Sequence, residues 1–188
     1  MSSPAARREG RRADPRRAPA DDVATLEAWA HDPAVIAATT DDAGATEAFA
    51  GADWAQEIAD ATETATFLIA EVDGRPVGAL QIADPYVEPT HSWGEIEPGL
   101  RAIDIWIGDA ADRGRGLGAE MMSLAHELCF AQPEVNAIVI DPLESNVRAR
   151  RFYARLGYVE EGVRLFAEGD RCRVMRVTRA RYREFLPR

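Results

Sequence analysis

Asp112-Arg113-Gly114-Arg115-Gly116-Leu117-Gly118 stands between a β-rich run at 102–107 and a stretch whose apolar residues recur at helical spacing. In the run, Ile103, Ile105 and Ile107 alternate with Asp104 and Trp106, the period of a strand with two different faces. From Leu117 onward, Met121, Leu124, Ala125, Leu128 and Cys129 fall on one helical face, with Glu120, Ser123 and Glu127 opposite and Pro133 as the stop. Three glycines within five residues let the intervening backbone turn sharply and approach a ligand without Cβ clashes. The helix opening at Gly118 aims unpaired N–H groups and its positive dipole end at the same spot. Arg113 and Arg115 add charge, so strand, loop and helix together read as a seat for a phosphate or pyrophosphate. The plainer reading is a loop that only turns the chain. The segment is not a Walker loop, and Ala119 stands where a dinucleotide fingerprint needs its third glycine.

Working outward, the apolar run at 135–140 suits a central strand covered on both faces. Ser145 is a good N-cap for a helix that places Ala149, Phe152 and Leu156 inward, carries arginines outward and ends at Gly157. Residues 158–166 and 173–178 read as a last strand pair. Upstream, 66–72 and 77–82 form a hairpin across Asp73-Gly74. The loop at 84–99 holds Pro85, Pro89, Pro98, Tyr86, Trp93 and four acids, and is long enough to suggest a function. Asp21 and Asp22 cap a short helix over Val23, Leu26 and Trp29, and Val35-Ile36 opens another after Asp32-Pro33. Residues 41–63 carry seven acids and no base, as a solvated face or as the wall of a cation-binding cleft. The expected architecture is a mixed α/β domain over 21–188 with a single central sheet, preceded by a disordered Arg-rich tail at 1–20.

The 188 residues carry a net charge of −10, and every one of the 22 basic residues is arginine. The tail holds a local excess of four positive charges, which leaves −14 on the rest. So acidic a body repels nucleic acid and anionic membrane and favours cationic partners. The tail could bind RNA or act as a transit peptide, but its two acids, three prolines and missing apolar face favour a solvated segment. With no signal-peptide core and no apolar stretch of membrane-spanning length, a cytoplasmic protein is expected. Cys129 and Cys172 make no disulfide framework, and His31, His91 and His126 are too scattered for a metal site, so none is expected.

Arg113-x-x-Gly116-x-Gly118 on a strand-to-helix turn is followed by Ser145-Asn146-Val147-Arg148-Ala149-Arg150-Arg151-Phe152-Tyr153. The two segments in this order, separated by a helix and an apolar strand, resemble the GNAT acetyltransferase superfamily over about 64–178. The resemblance implies a mixed sheet whose two central strands, those of Ile105 and Ile138, splay apart to admit acetyl-CoA as cosubstrate. Backbone from Arg113 through Gly114, Arg115, Gly116, Leu117 and Gly118 would cradle the pyrophosphate. Ile105, Trp106 and Ile107 would meet pantetheine and the thioester, Asn146 and Ala149 would contact the pantetheine, and Phe152 would line the channel. Tyr153 matches the tyrosine that protonates the departing thiolate, although it could also be a plain core aromatic. The family's first strand is hard to find, being either unusually polar or missing.

Glu97-Pro98-Gly99-Leu100-Arg101-Ala102-Ile103-Asp104, Asp141-Pro142 and Ser145-Asn146 look like the aminoglycoside 6′-N-acetyltransferases within that superfamily. The resemblance makes Asp104 the group that contacts or deprotonates the acceptor amine, with Asp141, Trp93, Glu95 and Glu97 on the acceptor side. The loop around His91-Ser92-Trp93 and the run Ile105-Trp106-Ile107 depart from that group. An alkyl amine is about one part in a thousand neutral at pH 7, a cost of about 4 kcal/mol before attack, which a nearby carboxylate can offset. An acid in the middle of a β-run is out of place unless paired, functional or on a solvated face. The implied enzyme acetylates a primary amine of a small cationic acceptor by direct attack in a ternary complex, as a monomer or homodimer. A siderophore-type (hydroxylysine-like) or polyamine acetyltransferase, a protein Nα-acetyltransferase, and a non-catalytic acyl-CoA-binding domain remain as alternatives.

Overall fold

Strands β1 (Asp14–Arg17), β2 (Ala65–Val72), β3 (Arg75–Ala83), β4 (Leu100–Ile107), β5 (Ala137–Ile140), β6 (Val159–Leu165) and β7 (Arg171–Thr178) form one sheet in the order β1-β2-β3-β4-β5-β7-β6. They belong to a computed structural model that describes residues 13–49, 51–62, 65–88, 92–165 and 169–185. Every neighbouring pair is antiparallel except β4 and β5. Those two central strands pair only at Leu100 with Ala137, Arg101 with Ile138 and Ala102 with Val139. Beyond that register β4 stays paired to β3 but not to β5. The single mixed sheet and its central splay are as expected.

The alternation along β4 sorts its side chains into two layers. Ile103, Ile105 and Ile107 face α4 (Leu117–Ala131) and α5 (Val147–Arg155), in a core with Met121, Met122, Ile138 and Tyr153. Trp106 faces α1 (Val23–Ala30), α2 (Pro33–Thr39) and α3 (Trp54–Ala59), where Trp29, Trp54, Phe67 and Phe49 gather. Asp73 and Gly74 turn the β2–β3 hairpin with φ of 52° and 75°, the left-handed pair that a tight hairpin requires. Gly108 follows β4 directly, and a Cβ there would lie 2.0 Å from the Trp29 indole. Gly108→Ala is expected to cost about 3 kcal/mol by overpacking. In a chain of this length that is a fall of about 6–12 °C in melting temperature. A melting curve within 2 °C of wild type, on the same scale, would show that the Trp29 contact yields freely.

Four expectations need correction. The ordered domain starts before residue 21, because Asp14–Arg17 forms the first strand; residues 1–12 lie outside those described. This strand is held by its backbone pairing with β2 and by the Arg16 ion pairs to Asp22 and Glu71, and among the described residues 13–20 only Ala13 is a deeply buried apolar side chain. The N-cap of α5 is Asn146, whose side chain accepts from the Ala149 amide at 3.0 Å, while Ser145 Oγ donates to Asp41. Helix α4 buries Met121, Ala125 and Cys129 as expected, but its inner face is wider than read: Leu128 is 45% exposed, and Met122, His126 and Phe130 are buried too. His126 Nε2 bonds the Tyr158 hydroxyl at 2.9 Å, and burial pushes the imidazole down to about 4, so it stays neutral. Finally, α6 (Arg179–Phe185) follows β7 without a break, and Arg179 binds the Phe130, Gln132 and Val135 carbonyls at the end of α4.

Candidate active site

The gap between the parting strands opens into a cavity of 700 Å³. Ile103, Asp104, Ile105 and Trp106 of β4 line it together with Ile140, Asp141, Pro142 and Leu143 at the end of β5. Ala149 and Tyr153 of α5 with its N-cap Asn146, residues at the end of α2 and in the loop after it, Asp170 just before β7 and Cys172 within it complete the wall. Among the described residues, five of the lining side chains are carboxylates (Asp42, Glu47, Asp104, Asp141 and Asp170) and none is basic. The cleft-wall reading of 41–63 therefore holds for Asp42 and Glu47.

The strand alternation that turns the isoleucines toward α4 puts Asp104 on the other face, into this cavity. Its exposure is to the cavity, since protein surrounds it otherwise. That burial pushes its carboxyl up, while the Arg164 charge pulls it back down. Asp141 is pushed up to about 7 by burial and by the Asp104 charge, against Arg164. Tyr153 is raised by burial and by both carboxylates, so its hydroxyl keeps its proton through neutral pH. The Tyr153 ring packs between Phe152 and Tyr158, with centroids 5.1 and 5.8 Å away. Being a core aromatic and lining the cavity are both true of it. Cys172 is pushed up to about 12, mainly by burial, and is no nucleophile at neutral pH.

The glycine loop lies at the start of α4. Gly114 and Gly116 have φ of 75° and 88°, which only glycine adopts readily. The Ala119 and Glu120 amides both go to the Gly116 carbonyl, so the amides of Leu117 and Gly118 precede the first helical bonds. A Cβ on Gly118 would sit 3.7 Å from Phe152, which brings α5 against the loop. The two arginines are engaged differently from the expected phosphate grip. Arg113 pairs with Asp32 at 2.7 Å and donates to the Gly108 and Ile107 carbonyls, clamping the end of β4. Arg115 reaches Asp112, which Arg75 also holds. What the loop offers an anion is chiefly backbone.

Of the residues expected on the acceptor side, Asp104 and Asp141 meet in the cavity; Trp93, Glu95 and Glu97 are not among its lining residues. Glu97 pairs with Arg176, which holds its carboxyl low, and Trp93 lies under the Arg164 guanidinium. Arg101, buried and paired with Asp84 at 2.8 Å, ties the same loop to β4. The loop at 84–99 is thus fastened by three arginines, and His91 lies outside the described residues. Arg164, Asp170 and Cys172 escaped sequence reasoning: they come from the last strand pair, whose approach to β5 no local pattern announces. No helix among the described residues is long and apolar enough to cross a membrane.

The model of the acetyltransferase (GNAT) domain matches residues 18–166. Aminoglycoside N(6′)-acetyltransferase type 1 of Klebsiella pneumoniae is 37% identical over 103 residues, 54% of this chain and 51% of that protein. A kanamycin resistance protein of Rhizobium radiobacter is 41% identical over 68 residues, 36% of this chain and 63% of that one. The chain thus spans about half the length of the first of these curated relatives, at 51%. In three dimensions, the aminoglycoside acetyltransferase AAC(6′)-Ib in complex with coenzyme A superposes with a TM-score of 0.75 at 29% identity, over 92% of this chain and 98% of that one. Its complex with paromomycin and acetyl-CoA gives 0.77 at 28% identity, over 93% and 98%.

Proposed function

Because the chain belongs to the GNAT acetyltransferase family, we propose that it transfers the acetyl group of acetyl-CoA to a primary amine of a small polycationic acceptor of the aminoglycoside kind. The observation that carries this reading is the cavity wall: among the described residues, five carboxylates and no basic side chain line it, set against a β4 backbone that β5 leaves free. Acetyl-CoA suits the residues present. The unpaired side of β4 at Ile105, Trp106 and Ile107 can bond an extended amide chain as a neighbouring strand would. The amides of Leu117 and Gly118 suit a pyrophosphate. Asn146 spends its carbonyl oxygen on the α5 cap, which leaves its NH₂ to donate.

In this reading Asp104 receives the acceptor ammonium and takes its proton directly or through water. The amine then attacks the thioester carbonyl, the C–S bond breaks as Tyr153 protonates the leaving sulfur, and the proton shed by the acylated nitrogen restores the Tyr153 hydroxyl, directly or through water. The related proteins act on, or confer resistance to, aminoglycosides, which directs the choice of acceptor. The cytoplasm, where acetyl-CoA is drawn on, is the compartment this chemistry assigns. Thiol detection of CoA with kanamycin-type aminoglycosides, polyamines and hydroxylysine as acceptors tests the reading. Turnover is expected with the aminoglycosides; acetyl-CoA binding without turnover on any amine would instead favour a non-catalytic acyl-CoA-binding domain. Gly116→Ala, which strains a left-handed residue, is expected to weaken acetyl-CoA binding about tenfold by calorimetry. An unchanged Kd would remove the loop from the ligand path.

A further inference from the structure

Arg164 stands on β6 opposite Cys172 in the β6–β7 ladder, and its side chain is only 17% exposed. Nη1 donates to Asp141 Oδ2 at 2.8 Å, and Nη2 donates to the Ser92 carbonyl. Its Cζ lies 4.1 Å from the centre of the Trp93 ring. One guanidinium therefore joins an edge strand, the turn after β5 and the loop before β4. Pairs of this kind, planar, charge-assisted and largely out of water, hold one geometry because release would strand a buried charge. The aromatic face beneath adds a further hold. Asp141 Oδ2 is taken by this cation, so an incoming ammonium at Asp141 shares a carboxylate whose charge Arg164 already balances and faces the repulsion of the guanidinium.

We propose that Arg164 is a specificity-determining residue of the acceptor site: seated on Trp93, it reserves the Asp141 carboxylate, so that Asp104 alone anchors the reacting ammonium and an acceptor with a second ammonium close to the first is disfavoured. The inference rests on the amine-acceptor reading above. Around the Asp141 carboxylate stand Asp104 from β4, Tyr153 from α5 and Cys172 from β7, with Asp170 and Asp41 near Cys172. Arg164 is the cation in that group. Acceptor charges farther from the reacting nitrogen fall to Asp42, Glu47 and Asp170, which leaves the preference local to the acetylated sugar.

Kanamycin A, with a hydroxyl at 2′, and kanamycin B, with an ammonium at 2′ of the same sugar, make the test pair. In Arg164→Met, checked for folding by acetyl-CoA calorimetry, kcat/KM for kanamycin B relative to A should rise about tenfold. The acid limb of kcat/KM for kanamycin A should also move to higher pH, because a positive neighbour of both carboxylates is gone. Arg164→Lys should keep the wild-type ratio. An unmoved ratio in Arg164→Met overturns the inference. Should that variant not fold, Asp141→Asn decides: a B-to-A ratio near wild type supports the reservation of Asp141, and a tenfold fall overturns it. If the wild type turns over neither kanamycin, the acceptor reading itself falls and this inference with it; turnover with an unmoved ratio sinks this inference alone.

Discussion

Asp104→Asn is expected to lower kcat/KM for the proposed aminoglycoside acceptor at pH 7 by about 10²–10³-fold, with acetyl-CoA binding unchanged. In water, proton transfer from an alkylammonium to an ordinary aspartate is uphill by about 6 pKa units, or about 8–9 kcal/mol. A carboxylate that only attracted the ammonium would deepen that hole, because it would stabilise the unreactive form. Burial of Asp104 raises its carboxyl and narrows the gap, so the proton can pass as attack proceeds. Asparagine keeps the shape and loses both attraction and basicity.

The pH dependence separates these roles. In the proposed role Asp104 works ionised, so wild-type kcat/KM is expected to fall as pH drops through the titration of the Asp104–Asp141 pair, whose Asp141 member is pushed up to about 7. Removing the Asp104 charge lowers Asp141, because that charge is one of the causes that raise it. The acid limb of the variant should therefore move to lower pH or vanish. Its residual rate should climb about tenfold per pH unit from 7 to 9, following the free amine. A variant within twofold of wild type at pH 7 would end the assignment of Asp104 as base.

Tyr153→Phe is expected to lower kcat by about 10²-fold and to leave the acceptor KM nearly unchanged. The hydroxyl is raised by burial and by the negative charge of Asp104 and Asp141, so it is a poor base and a persistent proton source. Because its pKa moves upward, no alkaline limb from Tyr153 is expected below pH 9, and the loss should be nearly constant between pH 6 and 9. Phenylalanine retains the ring contacts to Phe152 and Tyr158, so stability should hold while turnover does not. An acetyl donor with a better leaving group, such as the acetyl thioester of an acidic thiol, should narrow the difference. Wild-type kcat in the variant would return Tyr153 to a purely packing role.

The glycine loop, the helix after it and the two-faced strand before it were legible because each is a local pattern whose physics is contained in a few residues. Ile103, Ile105 and Ile107 against Asp104 and Trp106 needed only the period of a strand, and the faces came out as read. Asp73-Gly74 needed only two left-handed residues. Strand β1 failed to show because its pairing is made by backbone and by Arg16, neither of which leaves an apolar signature. The two acid-rich segments looked alike in composition, yet Asp42 and Glu47 reach the cavity, while Asp84 and Glu97 of the other are bound by arginines.

By itself the amino-acid order determined the elements from the β2–β3 hairpin to β7, the side of β4 that carries Asp104, and the chemistry that an acidic body and a glycine-rich turn can perform. These follow from periodicity, backbone permissiveness and charge, which act over a few residues or over the whole chain. Tertiary structure alone decided which acids share a cavity, that Arg113 clamps β4 against Asp32, and that Arg164 sits on Asp141. An arginine's reach joins segments far apart in the chain, and its partner is selected by desolvation and geometry after the sheet has closed.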